Sequence, residues 1–213
     1  QELLEFNGNA HVAVIPNGIY IKSIQSQKYD KRELLKKLNL PMDTFILGHV
    51  GRFYKVKNHE KIISIFNCLL QNNPHSALLL IGDGNIQERK RLHEFVKEYS
   101  LQNKVKFLGV RKDATALMSC FDAFVLPSFQ ESFSLVLVEA QVHGVRCVAS
   151  DTVPEDVICN DKCFKLSINE SSEKWASLLL DSSVRHDYVK SVYDFDIKNV
   201  LTTINVLYNK VKL

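Results

Sequence analysis

Two glutamates in one apolar stretch have the residue type and spacing to bind hydroxyl groups. Glu131 and Glu139 lie in SFQESFSLVLVEAQVHG (128–144) with seven residues between them, most of which are apolar. Charged side chains are seldom buried without a partner, because removing a charge from water is energetically costly. A carboxylate inside the run LVLVEA therefore indicates that Glu139 meets a specific partner.

Two cations lie in a second candidate segment, GRFYKVKN (51–58), which directly follows the apolar segment FILGHVG. If FILGHVG is a strand, Arg52 and Lys57 stand at its carboxyl end, next to a helix that starts near His59. A guanidinium, an ammonium and helix N–H groups at one place suit a diphosphate. Taken alone, the pair is better explained as two exposed charges of a solvated loop, since charged loops are common.

The elements that would position these residues alternate along the chain. Five short segments are apolar on both faces, as parallel strands covered by helices are. They are FILGHVG (45–51), ALLLIGD (77–83), KVKFLG (104–109), DAFVLPS (122–128) and RCVASD (146–151). Helical patterns separate them at 59–72, 86–100 and 113–121. This alternation predicts an α/β fold with a Rossmann-like parallel sheet flanked by helices, in which ligands bind at the carboxyl ends of the strands.

Segment 134–143 admits two interpretations. Its Leu-Val-Leu-Val run favours a strand by local propensity. A serine at 132 or 134 could instead cap a helix that Gly144 ends, and the alternation requires a helix between strands 122–128 and 146–151. We predict a helix.

A helix at 134–143 would form an anion site at its start. The amides of Ser134 and Leu135 would be unpaired, and Glu139 would lie ~7.5 Å further along the axis. That carboxylate could accept both vicinal hydroxyls of a ribose whose phosphates occupy the helix end, with Glu131 facing whatever extends beyond them. The alternative is a pair of structural glutamates, one bonded to backbone and one to an arginine.

The segment Gly82-Asp83-Gly84 also follows a strand and precedes a helix, which is typical of a dinucleotide site. A third glycine is required at position 87, but Gln87 stands there, and Asp83 would repel a pyrophosphate. A tight turn that the glycines make possible is the better interpretation.

The remaining segments predict further elements. They are a strand at 11–15, helices at 31–39, 171–180 and 196–211, and a strand at 163–166.

Composition excludes several classes of protein. The chain has 213 residues, 46% hydrophobic and 24% charged, as in a soluble globular domain. A net charge of +3 with no basic stripe argues against nucleic acid. No apolar run approaches the ~20 residues of a membrane span.

The metal-binding residue types lie apart. The five cysteines are odd in number and mostly within apolar stretches, which indicates reduced thiols in a cytosolic protein rather than a zinc site. His49, His59 and His143 are not at ligand spacing, and there is no Asp-x-Asp pair, so we expect no metal.

Several short motifs occur in a recognisable order. They are IPNG (15–18), GR (51–52), Lys57, IGDG (81–84), VKFLG (105–109), FVLPS (124–128) and the E-x7-E of ESFSLVLVEA (131–140). This ordered set resembles the retaining glycosyltransferases of the GT-B fold, and more narrowly the group 1 (family 4) set, which includes bacterial polysaccharide-assembly enzymes.

The resemblance implies roles for individual residues. Arg52 and Lys57 would hold the diphosphate of a nucleotide-sugar, Glu139 would bind its ribose, and Glu131 would accept a hydroxyl of the donor sugar. Arg52, Lys57 and Glu131 are thus the expected catalytic residues. The other donor-binding residues would be Gly51, Val110 and Arg111, the last two along the base, and Phe133, Ser134 and Leu135, whose backbone would lie near sugar and phosphates.

Two features depart from the family pattern. Ser132 and Ser134 stand where glycine is common, which puts the identity of the sugar in doubt. The segment SDTVPED also lacks the Gly-Gly that often precedes a glutamate after the next strand, so no role is expected for Glu155.

The resemblance covers one half of a GT-B enzyme, the carboxyl-terminal, donor-binding half. It implies a linker segment at 1–44, a nucleotide-sugar-binding domain at 45–182, and a helical segment at 183–213 that packs toward a missing N-terminal domain. That domain would bind an acceptor glycan or lipid-linked glycan, so the isolated chain would transfer sugar poorly or not at all.

The implied reaction is hexosyl transfer from a UDP- or GDP-linked donor with retention, without a cofactor or metal, in the cytoplasm or at the inner face of the membrane as a peripheral protein. Two alternatives stay open, another GT-B relative such as a sugar-nucleotide epimerase and a non-catalytic Rossmann-like interaction module.

Overall fold

The structure, a computed structural model, describes residues 15–183 and 191–211, and its centre is a parallel sheet of six strands. The strands are β1 (Phe45–Val50), β2 (Ser76–Ile81), β3 (Val105–Gly109), β4 (Ala123–Leu126), β5 (Arg146–Ser150) and β6 (Cys163–Leu166). They are ordered β3-β2-β1-β4-β5-β6, and every pairing is parallel. The order reverses between β1 and β4, which pair through Leu47 and Ala123. In this topology the loops after those two strands form a crevice that binds ligands.

Eight helices lie within the described residues. They are α1 (Ile21–Ser26), α2 (Lys31–Lys37), α3 (His59–Asn72), α4 (Ile86–Glu98), α5 (Ala114–Met118), α6 (Leu135–Val142), α7 (Ser172–Leu180) and α8 (Ile197–Val211). Short 3-10 turns occur at Lys55–Lys57, Glu155–Val157 and Val192–Phe195. One apolar core joins α1, α2, α5 and α6 to one face of the sheet, and a second joins α3, α4 and α7 to the other. The parallel strands are thus covered on both faces, as their continuous apolar sequences require.

Several helices start where a side chain can accept hydrogen bonds from the first free amides. Asp30 accepts from the amides of Arg32 and Glu33, and Asn85 accepts from the amide of Glu88 at 2.8 Å. Ser171 accepts from the amide of Lys174. These starts are fixed by local chemistry that is visible in the sequence.

Segment 134–143 is a helix, as predicted, and α6 spans Leu135–Val142. Its β-branched residues adopt helical geometry because the connection between two parallel neighbours, β4 and β5, must cross the face of the sheet. Buried Gln141 secures the helix: its amide nitrogen donates to the Val157 carbonyl at 2.8 Å, and its amide oxygen accepts from the amide of Cys159 at 2.7 Å. Tertiary structure outweighs β propensity here.

The predicted sheet and its flanking helices are confirmed, with boundaries that shift by a few residues. All five strands form, as does the strand at 163–166, whereas the helix predicted at 113–121 shortens to Ala114–Met118 and the one at 31–39 ends at Lys37. Helix α1 was not predicted. The strand predicted at 11–15 falls outside the described residues except for Ile15, which is not in a strand.

The segment at 1–44 contributes to the core of the domain in its described part. Ile21, Leu34 and Leu35 are buried against the α6 face of the sheet, and so is Phe195 near the chain's end. The division of the chain at residues 44 and 182 stays a prediction.

The structure also describes the cysteines and the lengths of the helices, which the sequence analysis considered for thiol chemistry and for membrane spans. None of the five cysteines, all of which are described, forms a disulfide. Within residues 15–183 and 191–211, no helix combines the length and the apolarity that crossing a bilayer demands.

Candidate functional site

The loops after β1 and β4 meet at the carboxyl edge of the sheet. Because these strands are parallel neighbours, their carboxyl ends lie side by side. The amide of Phe129 donates to the Val56 carbonyl at 2.8 Å, and Lys57 Nζ donates to Glu131 Oε1 at 2.6 Å. Two of the residues that the sequence singled out separately, Lys57 and Glu131, therefore form an ion pair.

Glu131 is held by two donors on one of its oxygens. Ser128 Oγ also donates to Oε1, at 2.8 Å, whereas the described part of the chain provides no hydrogen bond to Oε2. The side chain of Glu131 is 7% exposed and that of Lys57 is 22% exposed. The pair is thus shielded enough for its Coulomb attraction to exceed that of a surface pair.

Hydroxyl groups at the end of β5 and in the loop after it contact the backbone of Ser128, the residue that binds Glu131. Buried Ser150 Oγ donates to the Ser128 carbonyl at 2.7 Å, and Thr152 Oγ1 lies 3.0 Å from the same carbonyl oxygen. Sequence analysis missed all three hydroxyl residues. The rule that functional residues follow strands could have found them, since Ser128 and Thr152 come just after β4 and β5, and Ser150 ends β5.

Arg52 lies at the same edge and stays exposed. Its guanidinium carbon is 5.9 Å from the centroid of the Tyr54 ring, and no described carboxylate forms an ion pair with it. The first amides of α6 also lack intrahelical partners, and no side chain caps them: Ser134, at the N-cap, makes no capping bond. A free cation and a bare helix start suit an anion.

The residues at the start of α6 differ in exposure. The Phe133 ring packs edge-on against Phe195 with centroids 5.6 Å apart. Ser134 is buried, and its hydroxyl has no hydrogen-bond partner in the described structure. Leu135 is partly exposed. Of the three residues predicted to contact a donor here, Phe133 and Ser134 are therefore mainly packed in the protein.

Backbone contacts join the loop after β2 to the loop after β1. The Phe53 amide donates to the Asp83 carbonyl at 2.8 Å. Gly82 has a φ of +137°, and a Cβ there would lie 1.9 Å from the Gly51 carbonyl oxygen. Only glycine tolerates this conformation and this approach. The glycine at position 82 is thus required by a close backbone approach, whereas residues 82–84 form neither the predicted tight turn nor a bend.

The loop after β3 lies next along this edge, because the Gly82 amide donates to the Gly109 carbonyl at 2.9 Å. Val110 is highly exposed. The Arg111 guanidinium is bound by both oxygens of Asp113 at 2.8 and 2.7 Å. Arg111 is therefore committed to a local ion pair that the sequence did not predict.

Glu139 lies in the second turn of α6, beside the first turn of α5. Burial raises the pKa of its carboxyl, and the Thr115 hydroxyl partly offsets this effect. No described cation forms an ion pair with it. The alternative of a glutamate satisfied by arginine is therefore not what the structure contains, and the carboxylate keeps its capacity to accept ligand hydroxyls.

Two buried histidines lie beneath the loop after β1. His49 donates from Nδ1 to the Val125 carbonyl at 2.9 Å, and its ring stands edge-on to that of His59 with centroids 4.8 Å apart. Desolvation lowers the pKa of His49 to about 4 and that of His59 to about 2. Both are neutral at pH 7, so they add no positive charge to the loop that carries Arg52 and Lys57.

Fold and site together define a Rossmann-like domain whose carboxyl edge presents two cations, a bare helix start and two carboxylates. The chain belongs to the group 1 glycosyl transferases, a family that its residues 30–195 match. Within residues 15–183 and 191–211 no group of three His, Cys, Asp or Glu side chains could hold a metal ion.

Several relatives match nearly the whole chain. EpsF of Bacillus subtilis (strain 168), which is named as a glycosyltransferase, is 31% identical over 208 residues, covering 93% of this chain and 53% of EpsF. The crystal structure of Anabaena Alr3699/HepE in complex with UDP and glucose is 25% identical with a TM-score of 0.77, covering 92% of this chain and 56% of that one. The chain thus spans about half the length of these relatives.

A further solved structure shares the fold. The C-terminal domain of a group 1 family glycosyl transferase (LpcC) from Francisella tularensis is 21% identical with a TM-score of 0.66. The match covers 87% of this chain and 97% of that domain. The described fold is therefore similar to that of a single, separately crystallised domain.

Proposed function

We propose that this chain is the donor-binding half of a retaining glycosyltransferase and binds a nucleotide-sugar at the carboxyl edge of its sheet. The observation that carries the proposal is the Lys57–Glu131 ion pair, which joins the loops after β1 and β4 beside unpaired Arg52 and the uncapped start of α6. These groups occupy the switch point of the strand order, where α/β sheets bind ligands.

The diphosphate binds to Arg52, Lys57 and the first amides of α6. Negative charge builds on the departing diphosphate during sugar transfer, and preorganised cations and amide dipoles stabilise it most when water is excluded. Lys57 can turn from Glu131 toward a phosphate, because its side chain is partly exposed. The proposed mechanism uses no metal ion or other cofactor.

The nucleoside lies along the loops after β1 and β3. Glu139 accepts the ribose hydroxyls, and Gly51, Val110 and Arg111 border the base. A partly buried carboxylate of raised pKa gains from a ligand that supplies two hydroxyl donors, because the hydrogen bonds replace lost hydration. Arg111 takes part through its backbone while Asp113 holds its guanidinium.

The donor sugar lies beyond the phosphates, next to Glu131. That carboxylate accepts a sugar hydroxyl, and the backbone of Phe133, Ser134 and Leu135 borders the sugar and phosphates. We favour UDP over GDP as the nucleotide. One similar structure contains UDP and glucose, and a 29% identical relative from Escherichia coli is named a UDP-Gal:alpha-D-GlcNAc-diphosphoundecaprenol alpha-1,3-galactosyltransferase.

The complete protein transfers a hexosyl unit to the hydroxyl of a glycan or lipid-linked glycan, in bacterial polysaccharide or glycoconjugate assembly. The lipid-linked acceptor named for the E. coli relative supports this class and a place at the inner face of the membrane. The acceptor binds to a second domain, and the isolated chain transfers no sugar.

A thermal-shift series tests donor binding. UDP should raise the melting temperature of the chain more than GDP or ADP at equal concentration, because binding to the folded state alone stabilises it. Calorimetry of the same ligands checks the order of affinities. Absence of stabilisation by all three nucleotides would contradict the proposal and favour a non-catalytic module.

Glu139→Ala separates the ribose contact from the phosphate contacts. The variant should weaken UDP binding by about 1–3 kcal/mol, the scale of lost hydrogen bonds to a charged group, and leave pyrophosphate binding nearly unchanged. Glu155→Ala is the matched control, because Glu155 is an exposed glutamate bonded to Lys165 after β5. Equal losses for UDP and pyrophosphate would exclude ribose contact by Glu139.

A further inference from the structure

The buried hydroxyl group of Ser128 has a position that the donor-binding proposal does not explain. Ser128 is fully buried, and its Oγ donates to Glu131 Oε1 at 2.8 Å. The same oxygen accepts from Lys57 at 2.6 Å. Both donors therefore bind one carboxylate oxygen, although an ionised carboxylate has acceptor sites on both.

The backbone of Ser128 is fixed as firmly as its side chain. Its carbonyl oxygen lies 2.7 Å from Ser150 Oγ and 3.0 Å from Thr152 Oγ1, and these two hydroxyl oxygens lie 2.7 Å apart. Because each hydroxyl carries one proton, Ser150 donates to the carbonyl and Thr152 donates either to the same carbonyl or to Ser150 Oγ. Ser150 is fully buried. The end of β5 and the loop after it thus hold Ser128 in place through a pair of linked hydroxyl groups.

The consequence concerns the second oxygen of Glu131. Donors on Oε1 restrict rotation about the last side-chain bond and so fix the direction in which Oε2 points. Ser128 keeps this restraint when Lys57 turns toward the diphosphate. Oε2 receives no hydrogen bond from the described residues and is not among the buried unpaired atoms, so it is left for a ligand.

We infer that Ser128 is a positioning residue for Glu131. Held by Ser150 and Thr152, it fixes Oε1 so that Oε2 accepts a hydroxyl of the donor sugar in one orientation. The inference rests on the proposed function, since it requires that a nucleotide-sugar binds at this edge. It adds three hydroxyl residues on two loops to the determinants of sugar recognition.

Calorimetry with UDP and with UDP-glucose or UDP-galactose tests the inference. The measured quantity is the sugar ratio, defined as the dissociation constant for UDP divided by that for the better of the two UDP-sugars. Ser128→Ala should lower this ratio about five- to tenfold, the effect of roughly 1–1.4 kcal/mol, while its affinity for UDP stays within about twofold of wild type.

Thr152 offers a matched pair of variants at an exposed position. Thr152→Val keeps the shape but removes the hydroxyl and should lower the sugar ratio in the same direction by a smaller factor. Thr152→Ser keeps the hydroxyl and should retain the wild-type ratio. Ser76→Ala controls for the loss of any buried hydroxyl, because Ser76 Oγ donates to the Asn73 carbonyl at the opposite edge of the sheet.

The outcomes separate this inference from the proposed function. If wild type binds neither UDP nor either UDP-sugar, the proposed function fails and the inference fails with it. If wild type binds UDP and Ser128→Ala loses UDP and UDP-sugar affinity equally, the donor site stands and Ser128 is merely structural. A wild-type ratio of one also overturns the inference, because there is then no sugar contact to position.

Discussion

Two lysine–carboxylate pairs of equal length lie at opposite edges of the sheet and differ in every other respect. Lys31 and Asp122 stand at the amino edge, 2.6 Å apart, and Lys57 and Glu131 stand at the carboxyl edge, also 2.6 Å apart. Both oxygens of Asp122 bind Lys31, and Oδ2 also accepts from the buried Ile46 amide at 2.7 Å. The Asp122 carboxylate is thus bonded to the protein through both oxygens.

The Lys57–Glu131 pair at the carboxyl edge leaves one carboxylate oxygen without a donor among the described residues. Glu131 takes both of its donors on Oε1, and neighbouring Arg52 has no described ionic partner. The comparison shows that an ion pair alone does not distinguish a ligand-binding site from a contact that stabilises the fold. What distinguishes a binding site from a structural contact is whether donors and acceptors remain for a ligand.

The largest expected difference between the two edges is their response to acid. His49 and His59, under the carboxyl edge, are neutral in the folded chain with pKa values of about 4 and about 2, against 6.5 when unfolded. Below pH 6.5 the unfolded state binds protons that the folded state does not, so stability falls as the pH falls. From pH 7 to pH 5 the free energy of unfolding should drop by about 2 kcal/mol per histidine.

Urea unfolding at several pH values measures this slope. His59→Leu should remove about 2 kcal/mol of this drop, the share of one histidine, while His49 and, among the described residues, His143 still have lowered pKa values. A variant with the full wild-type slope would show that His59 does not titrate in this window.

The second prediction compares substitutions of the two carboxylates, Asp122 and Glu131. Asp122→Ala should lower the free energy of unfolding by about 2–3 kcal/mol, because it leaves the buried Ile46 amide unpaired, and should leave UDP affinity unchanged. Glu131→Gln should weaken UDP-glucose binding more than UDP binding, with a small effect on unfolding. Denaturant titration and calorimetry on the same samples measure both quantities.

Asp122→Asn is the matched control at the amino edge. It keeps an oxygen for the Ile46 amide and removes the charge, so the loss should fall to the ~1 kcal/mol or less of an exposed ion pair. If Asp122→Ala weakened UDP-glucose binding as much as Glu131→Gln did, the contrast between the edges would not hold.

The third prediction tests the free cation. Arg52→Ala should weaken UDP binding by about 1.5–3 kcal/mol, the scale of a hydrogen bond to a charged group. Lys55→Ala is the control, since Lys55 is an exposed cation in the same loop. Calorimetry that gives equal affinities for wild type and Arg52→Ala would remove Arg52 from the site.

The smallest effect concerns backbone conformation. Asn39, after α2, and Asn58, before α3, have left-handed φ angles of 53° and 55°. Glycine adopts this conformation without a Cβ penalty, so either change to glycine should stabilise the chain by roughly 0.5 kcal/mol. Only Asn58→Gly, next to Lys57, should alter UDP affinity. Thermal melts and calorimetry of the two variants provide the comparison.

Much of the fold could be predicted from sequence because its signals are local. Buried strands and amphipathic helices have recognisable patterns, and even α6 was predictable once the alternation of elements outweighed its β-branched run. Helix α1 was missed because IKSIQS is short and has only two buried residues, Ile21 and Ile24.

The sequence named the candidate site residues but not their bonding. Residue type and spacing drew attention to Arg52, Lys57, Glu131 and Glu139, and the resemblance to a family gave them roles that stay predictions. The Lys57–Glu131 pair joins residues 74 positions apart, and the Arg111–Asp113 pair competes with the role expected for Arg111. Such pairings depend on three-dimensional approach, which side-chain spacing along the chain does not encode.

The close approach at Gly82 has a consequence for engineering this domain. Because a methyl group there would overlap the Gly51 carbonyl, the segments 51–58 and 82–84 fit only as a matched set. Grafting a segment that carries any residue other than glycine at position 82 would force the two loops apart. Chimaeras meant to change donor preference should therefore exchange the two segments as a single cassette.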